Sequence, residues 1–477
     1  MFFNSIAFLL FLPTVFFLYW FLLKRSQKYQ NILLLVASYF FYGWWDYRFL
    51  LLIALSTLID YSIGLKLEKE TVYKKRKYFL AVSLIFNLGM LGFFKYYNFF
   101  IESWLDSWAI LGFKMHASTM QIILPVGISF YTFQTLSYTI DVYRKKLKPT
   151  RNFINFATFV AFFPQLVAGP IERAANLLPQ FSVKRTFNLE RAKSGIHLII
   201  WGLFKKVVIA DGCATYVNAI FDNYQDLNTL TLIIGAVYFA FQIYGDFSGY
   251  SDIAIGTARL FGFELMQNFN YPYFSRDVAE FWRRWHISLS TWFRDYLYIP
   301  LGGSRTSTFK KVRNVFIIFL VSGFWHGANW TFIIWGALHA LFFIPLLITN
   351  KNRKYTNQVA EHKAIPSFRE LINMLITFVL VTLAWVFFRA DSITVAFNYI
   401  KRLFTNFSFN IEYLSIENYS IEMLFLIGVF IFIEWLNKHT EHPFLGKFKW
   451  FKIIGVILML LIFGVYSNHQ EFIYFQF

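Results

Sequence analysis

Long apolar runs, many of them ended by a short basic segment, recur along this 477-residue sequence. A helix needs about 20 predominantly apolar residues to cross a hydrocarbon core, and inside it a helix satisfies its own backbone. The expected fold is therefore an all-α polytopic membrane protein, a single integral-membrane domain over residues 1–477. The composition agrees, at 57% hydrophobic, 22% aromatic and only 15% charged, with a mean hydropathy of +0.47. A net charge of +18 would suggest nucleic acid in a soluble chain. Here the basic residues collect between the apolar runs, which is the positive-inside pattern, and nucleic acid is set aside. Cys213 is the only cysteine, so no intrachain disulfide can form.

Taken in order, Ser5–Leu23 is a first span with the N-terminus outside, stopped by Lys24, Arg25 and Lys28. It carries no basic leader region, so it reads as a span and not as a cleavable signal. Asn31–Trp45, Phe49–Leu65, Phe79–Phe94 and Gln121–Ile140 follow as spans, with Lys66–Lys77 and Arg144–Lys148 inside. Asn98–Ser118, with Trp104 and Trp108, reads as an interfacial helix. Phe153–Pro170 is broken by Pro164, Gly169 and Pro170 and flanked by basic residues, so parity makes it re-entrant. Gly195–Ala210 exits, Thr215–Asn228 is an acidic outer loop, and Leu230–Tyr244 re-enters. Asp246–Gly262 interleaves small and polar residues, a pattern that lets helices approach and hydrogen-bond. Asn350–Glu370 and Asn437–Lys452 lie inside, and Arg389–Glu422 and the tail 467–477 outside. The whole count gives about eleven or twelve spans plus re-entrant pieces, with both termini extracytoplasmic.

Gly323-Phe-Trp-His326-Gly-Ala-Asn-Trp330 sets an imidazole between two apolar runs. The run from Val312 to Trp325 rises only ~21 Å against a core of ~30 Å, so a turn at Gly327 leaves His326 at membrane depth. An ionisable group there usually has a function or a partner. A second histidine, His286, lies in Phe281–Tyr296 among Arg283, Arg284 and Arg294. Imidazole is the natural general base near neutral pH. Drawing a proton from a hydroxyl that attacks a thioester needs such a base, a dry pocket and donors for the oxyanion. Trp325, Asn329 and Trp330 are candidate donors near His326, and the three arginines are candidate clamps for a phosphate-bearing donor. The plainer alternatives are a packing histidine at 326, a juxtamembrane histidine at 286, and arginines that serve topology and headgroups. His339 reads as packing. No HExxH or Cys/His cluster is present, and no metal is expected.

FWRRWHISLSTWFRDYLYIPLGG (281–303), DFSGYSDIAIG (246–256), NFNYPY (268–273) and GFWHGANW (323–330) resemble the membrane-bound O-acyltransferase family. Within it they resemble the bacterial alginate O-acetyltransferase branch, near peptidoglycan O-acetyltransferases and the membrane subunit that D-alanylates teichoic acids. The resemblance covers nearly the whole chain. It implies a ring of helices around a central tunnel, with residues 281–330 as the catalytic core segment. It implies that His326 and His286 are the two family histidines. It further implies no bound cofactor, acetyl-CoA as acyl donor, and a polysaccharide acceptor of the alginate, cellulose or peptidoglycan type. An extracytoplasmic SGNH-type partner and a bacterial inner-membrane location are implied as well. Phe472–Phe477 resembles a short C-terminal tyrosine motif of the branch, which makes Tyr474 a candidate acyl relay and an aromatic interfacial anchor the simpler alternative. D-alanyl transfer stays open as the related chemistry. So does a proton-coupled transporter or flippase, which would use intramembrane carboxylates, here chiefly Asp246 and Asp252. An envelope scaffold is third and would leave His326 replaceable.

Overall fold

The computed structural model describes residues 1–167, 169–407, 420–466 and 472–473. The described residues form helices joined by turns and loops, without strands. Five helical stretches are long and apolar enough to cross a membrane: Gln27–Lys69, Tyr73–Ile110, Thr229–Leu260, Trp330–Ile348 and Phe368–Arg389. Large apolar side chains on several of them face outward; Ile6 on the first helix is 78% exposed, and Leu51, Ile85, Leu375 and Ile376 are exposed too. Such surfaces are costly in water and fitting in hydrocarbon. The protein is a polytopic membrane protein.

The chain divides into two compact units, Met1–Ile196 with Ala254–Met266, and His197–Ile253 with Gln267–Phe477. In the first unit, helices Leu50–Lys69, Tyr73–Leu91 and Ile128–Tyr143 pack together. The stretch after Asn152 forms Phe153–Ala161 and Phe163–Leu166, broken at Phe162 just ahead of Pro164. Pro164 sits in the first turn of the second helix, where its missing N–H costs nothing, and the break is buried in protein, where irregular backbone is tolerated. Tyr97–Ile110 is a helix with no buried residue.

Two sequence expectations change. Thr215–Asn228, read as an outer loop, is largely the helix Asp211–Asp222. Its apolar positions Cys213, Ala214, Val217, Ile220 and Phe221 recur at helical spacing and are buried, a stripe the acidic flanks masked. The break placed before Asp246 does not exist, because Thr229–Leu260 is one helix of 32 residues. Its internal charges are matched by lysines from another helix, as described below. The stretch after Arg389, expected outside, contains an amphipathic helix, Ile393–Thr405, capped by Ser392 and buried through Ala396, Tyr399 and Leu403.

In the second unit the helices approach closely where glycine allows it. A Cβ on Gly202 would sit 2.5 Å from the Gly249 carbonyl oxygen, and one on Gly323 2.2 Å from that of Phe332. Small residues let membrane helices meet backbone to backbone, and these two contacts seat the helices that carry the site.

Candidate active site

His326 is the last residue of the helix Thr308–His326, and Gly327 continues in extended backbone. Asn329 then caps Trp330–Ile348: its Oδ1 accepts from the Thr331 N–H at 3.0 Å, and its Nδ2 donates to the Asp391 carbonyl at 3.0 Å. The turn is tight because a Cβ at Gly327 would meet the Phe332 ring at 2.1 Å. His326 is buried, 2% exposed. Its ring stands edge-on to Trp335 at 5.0 Å, with Trp325 at 5.0 Å and Phe388 at 5.4 Å. The imidazole therefore sits in an aromatic cage that excludes water.

His286 separates the short helices Val278–Arg284 and Ile287–Phe293, with φ 43° and ψ 55°. A side chain bearing a Cβ pays for left-handed backbone, and such residues gather at functional positions. The Asn268 carboxamide holds this ring. Asn268 Oδ1 takes the Ser288 backbone N–H at 3.2 Å, the Ser288 hydroxyl at 2.9 Å and lies 3.1 Å from His286 Nδ1. A backbone N–H only donates, so that atom is the amide oxygen. His286 Nδ1 must then carry the proton, and Nε2 carries the lone pair. Asn268 Nδ2 donates to Ser251 Oγ at 3.2 Å, which fixes the amide from its other side. Backbone bonds Asn270 N–H to Arg284 O and Ile287 N–H to Asn268 O lay the two segments side by side.

The His286 and His326 ring centroids lie 6.5 Å apart. Trp325 flanks both, 6.0 Å from His286 and 5.0 Å from His326. Phe247 closes on His286 edge-on at 4.6 Å. Beyond Phe388, a cavity of about 570 Å³ is lined by Asn218, Asn329, Thr331, Arg389 and Asp391 over Phe332 and Phe388. A polar mouth thus borders the aromatic cage of His326.

The remaining sequence candidates are placed differently. Trp330 is half exposed on the first turn of its helix. Arg284 donates to Glu280 Oε1 at 2.8 Å and to the Asn357 carbonyl at 3.1 Å; Glu280 also binds Arg276. Arg283 donates to the carbonyls of Asn352 and Tyr355, at 2.8 and 2.5 Å. These two guanidiniums staple the 350–357 loop. Arg294 pairs with Asp295 at 2.7 Å near the surface. His339 accepts the Trp282 indole N–H on Nδ1 at 3.2 Å, a packing role. Tyr474 lies outside the described residues.

Sequence reasoning missed Asn268, although its motif was singled out, and it missed two buried lysines. Phe204–Ala210 widens into a π-helical turn carrying Lys205 and Lys206. Lys206 lies 2.8 Å from both Asp211 and Asp246. Lys205 lies 3.0 Å from Asp252 and 3.7 Å from Glu434, which also accepts the Tyr244 hydroxyl at 2.7 Å. Two adjacent lysines inside an apolar run were the available signal.

The sequence profile of the membrane-bound O-acyltransferase family matches residues 144–386. The chain is 44% identical to the probable alginate O-acetylase of Pseudomonas aeruginosa, covering 84% of this chain and 75% of that protein. It is 34% identical to the peptidoglycan O-acetyltransferase of Helicobacter pylori, covering 100% of this chain and 97% of that protein. With the teichoic acid D-alanyltransferase of Bacillus subtilis it shares 30% identity over 55% of this chain and 68% of that protein.

Proposed function

The chain belongs to the membrane-bound O-acyltransferase family and is an O-acyltransferase, and from that premise we propose that it moves acetyl groups from cytoplasmic acetyl-CoA onto an extracytoplasmic polysaccharide. The observation that carries this reading is the pair of buried histidines, 6.5 Å apart ring to ring, in a cage of Trp325, Trp335 and Phe388. His326 takes the proton of the attacking hydroxyl. The hydroxyl oxygen bonds to the thioester carbonyl carbon, the C–S bond breaks, and the thiolate leaves and takes up the proton. His286, its Nδ1–H held by Asn268, presents the Nε2 lone pair to orient the hydroxyl or a donor amide. Water exclusion by the aromatic cage strengthens both interactions and suppresses hydrolysis of the donor. The cavity lined by Asn218, Asn329, Arg389 and Asp391 is the acceptor side of this reaction.

The finer architecture belongs to the same proposal: about eleven or twelve spans with re-entrant pieces ringing a tunnel, in a bacterial inner membrane, both termini outside. The polymer is of the alginate or peptidoglycan type that the relatives' names carry. An extracytoplasmic SGNH-type partner delivers the acetyl group, with Tyr474 as a transient ester carrier between CoA and that partner. Proton-coupled transport is the poorer reading, because Asp246 and Asp252 each face a buried lysine. The test supplies reconstituted protein with labelled acetyl-CoA or a D-alanyl carrier-protein thioester, with and without partner and polymer. Turnover of acetyl-CoA alone supports the reading. Turnover of the carrier thioester alone would replace acetylation by D-alanylation, and turnover of neither would remove the donor assignment.

A further inference from the structure

The buried cluster around Lys206 holds one cation against two carboxylates. Its ammonium lies 2.8 Å from Asp211 Oδ1 and 2.8 Å from Asp246 Oδ1, with all three side chains almost wholly buried. One charge balances one carboxylate, so a second needs another donor. The Ile473 backbone N–H supplies it, donating to Asp246 Oδ2 at 2.7 Å. That amide belongs to the C-terminal segment, far from Asp246 in sequence. Its neighbour Phe472 is fully buried, packing on Tyr250 at 4.5 Å and Phe247 at 5.8 Å. Phe247 is the ring that stands edge-on to His286 at 4.6 Å. Upstream, the Val465 N–H donates to the Val207 carbonyl at 3.1 Å, on the same π-helical turn that carries Lys206. Gly245 lets that turn come close, since a Cβ there would sit 2.8 Å from the Lys205 carbonyl oxygen.

We propose that Asp246, held between the Lys206 ammonium and the Ile473 N–H, is the latch of the C-terminal segment, and that the latched segment backs the Phe247 wall of the His286 site. Asp246 is thereby a positioning residue for acyl transfer. The positioning rests on the histidine pair being the transfer site; the latch itself does not. Both hold whether or not Tyr474 carries the acetyl group. Replacing Asp246 by alanine leaves Lys206 with Asp211 as a neutral pair, so the change removes the latch without stranding a buried charge.

The experiment uses the full chain in lipid nanodiscs with Ile473→Cys, which keeps the backbone N–H, and reads maleimide labelling. The native Cys213 is fully buried and serves as internal control. With Asp246→Ala, labelling at position 473 should rise about tenfold or more, the scale of one charge-assisted hydrogen bond, while Cys213 stays protected. Acetyl transfer to the acceptor, assayed without Ile473→Cys, should fall by a similar factor. Equal protection of position 473 with and without Asp246 would overturn the latch. A second variant, Phe472→Ala, keeps the ion cluster and Tyr474 but removes the ring behind Phe247, and should lose transfer to the same extent. Asp246→Ala added to it should cost nothing further. Full transfer by Phe472→Ala, or an added loss from Asp246→Ala within it, would each contradict the positioning role. His326→Ala run in parallel separates the readings. If it keeps transfer, the histidine site fails while labelling at position 473 still reports the latch.

Discussion

Two of the buried polar clusters among the described residues, one in each unit, are built on opposite plans. In the first unit Asp60 is fully buried. It accepts from the Ser83 hydroxyl, from Asn87 Nδ2 at 2.8 Å and from Thr139 Oγ1 at 3.0 Å. Ser56 and Thr135 complete the set on Asn87. Every member lies on a regular helix. In the second unit His286 sits on left-handed backbone between two helices, and His326 ends a third. Their surroundings are mostly aromatic rings. The first cluster is hydrogen-bonding glue between helices, of a kind worth about 0.6 kcal/mol per bond in membranes. The second places groups able to exchange protons in a dry cage on strained backbone. Buried polarity alone therefore does not mark the site; irregular backbone and an oriented lone pair do.

The sharpest way to break this contrast is His326→Ala. Loss of the general base should lower kcat by about 10²–10⁴-fold with little change in thermal stability. Turnover within a few-fold of wild type would collapse the distinction. Next comes Asn268→Leu, which removes the acceptor that fixes the His286 tautomer. It should cost about 10–100-fold in kcat, the scale of lost outer-shell support. Asn268→Asp keeps the acceptor oxygen and should restore most of that loss; a purely structural role for Asn268 would show no such rescue. Gly323→Ala forces a Cβ against the Phe332 carbonyl, and overpacking of this kind costs about 1–3 kcal/mol. Its melting temperature should fall together with activity, because the same helix pair carries His326. The smallest catalytic effect is expected at the other cluster. Asp60→Ala forfeits three hydrogen bonds, about 2 kcal/mol, and should leave kcat per folded molecule unchanged. A kcat loss there like that of Asn268→Leu would mean that the two clusters are not different in kind.

Much of the second cluster was legible in the sequence. His326 stood out because apolar runs flank it, and Gly327 announced a tight turn that the structure uses. His286 was noticed for its company. Asn268 was not, because its contact with His286 spans 18 residues of intervening chain and no local pattern encodes it. The partners of the arginines were not legible for a related reason: a sequence shows a guanidinium but not the Glu280 carboxylate or the loop carbonyls that receive it. The break placed before Asp246 failed because a charge inside a span looks like its end until the lysine that neutralises it is seen. The long apolar helices could be read because hydrocarbon demands only length and apolarity. The helix Asp211–Asp222 could not, since its buried stripe is short and flanked by acidic residues.

The decisive assay measures labelled acetyl transfer by reconstituted protein, comparing wild type with His326→Ala and Asp60→Ala at equal folded concentration. The predicted result is loss of transfer in His326→Ala with a wild-type melting curve, and wild-type turnover in Asp60→Ala with a lowered one. Transfer that survives in His326→Ala, or that disappears equally in both variants, would contradict the assignment of the histidine pair as the chemical centre.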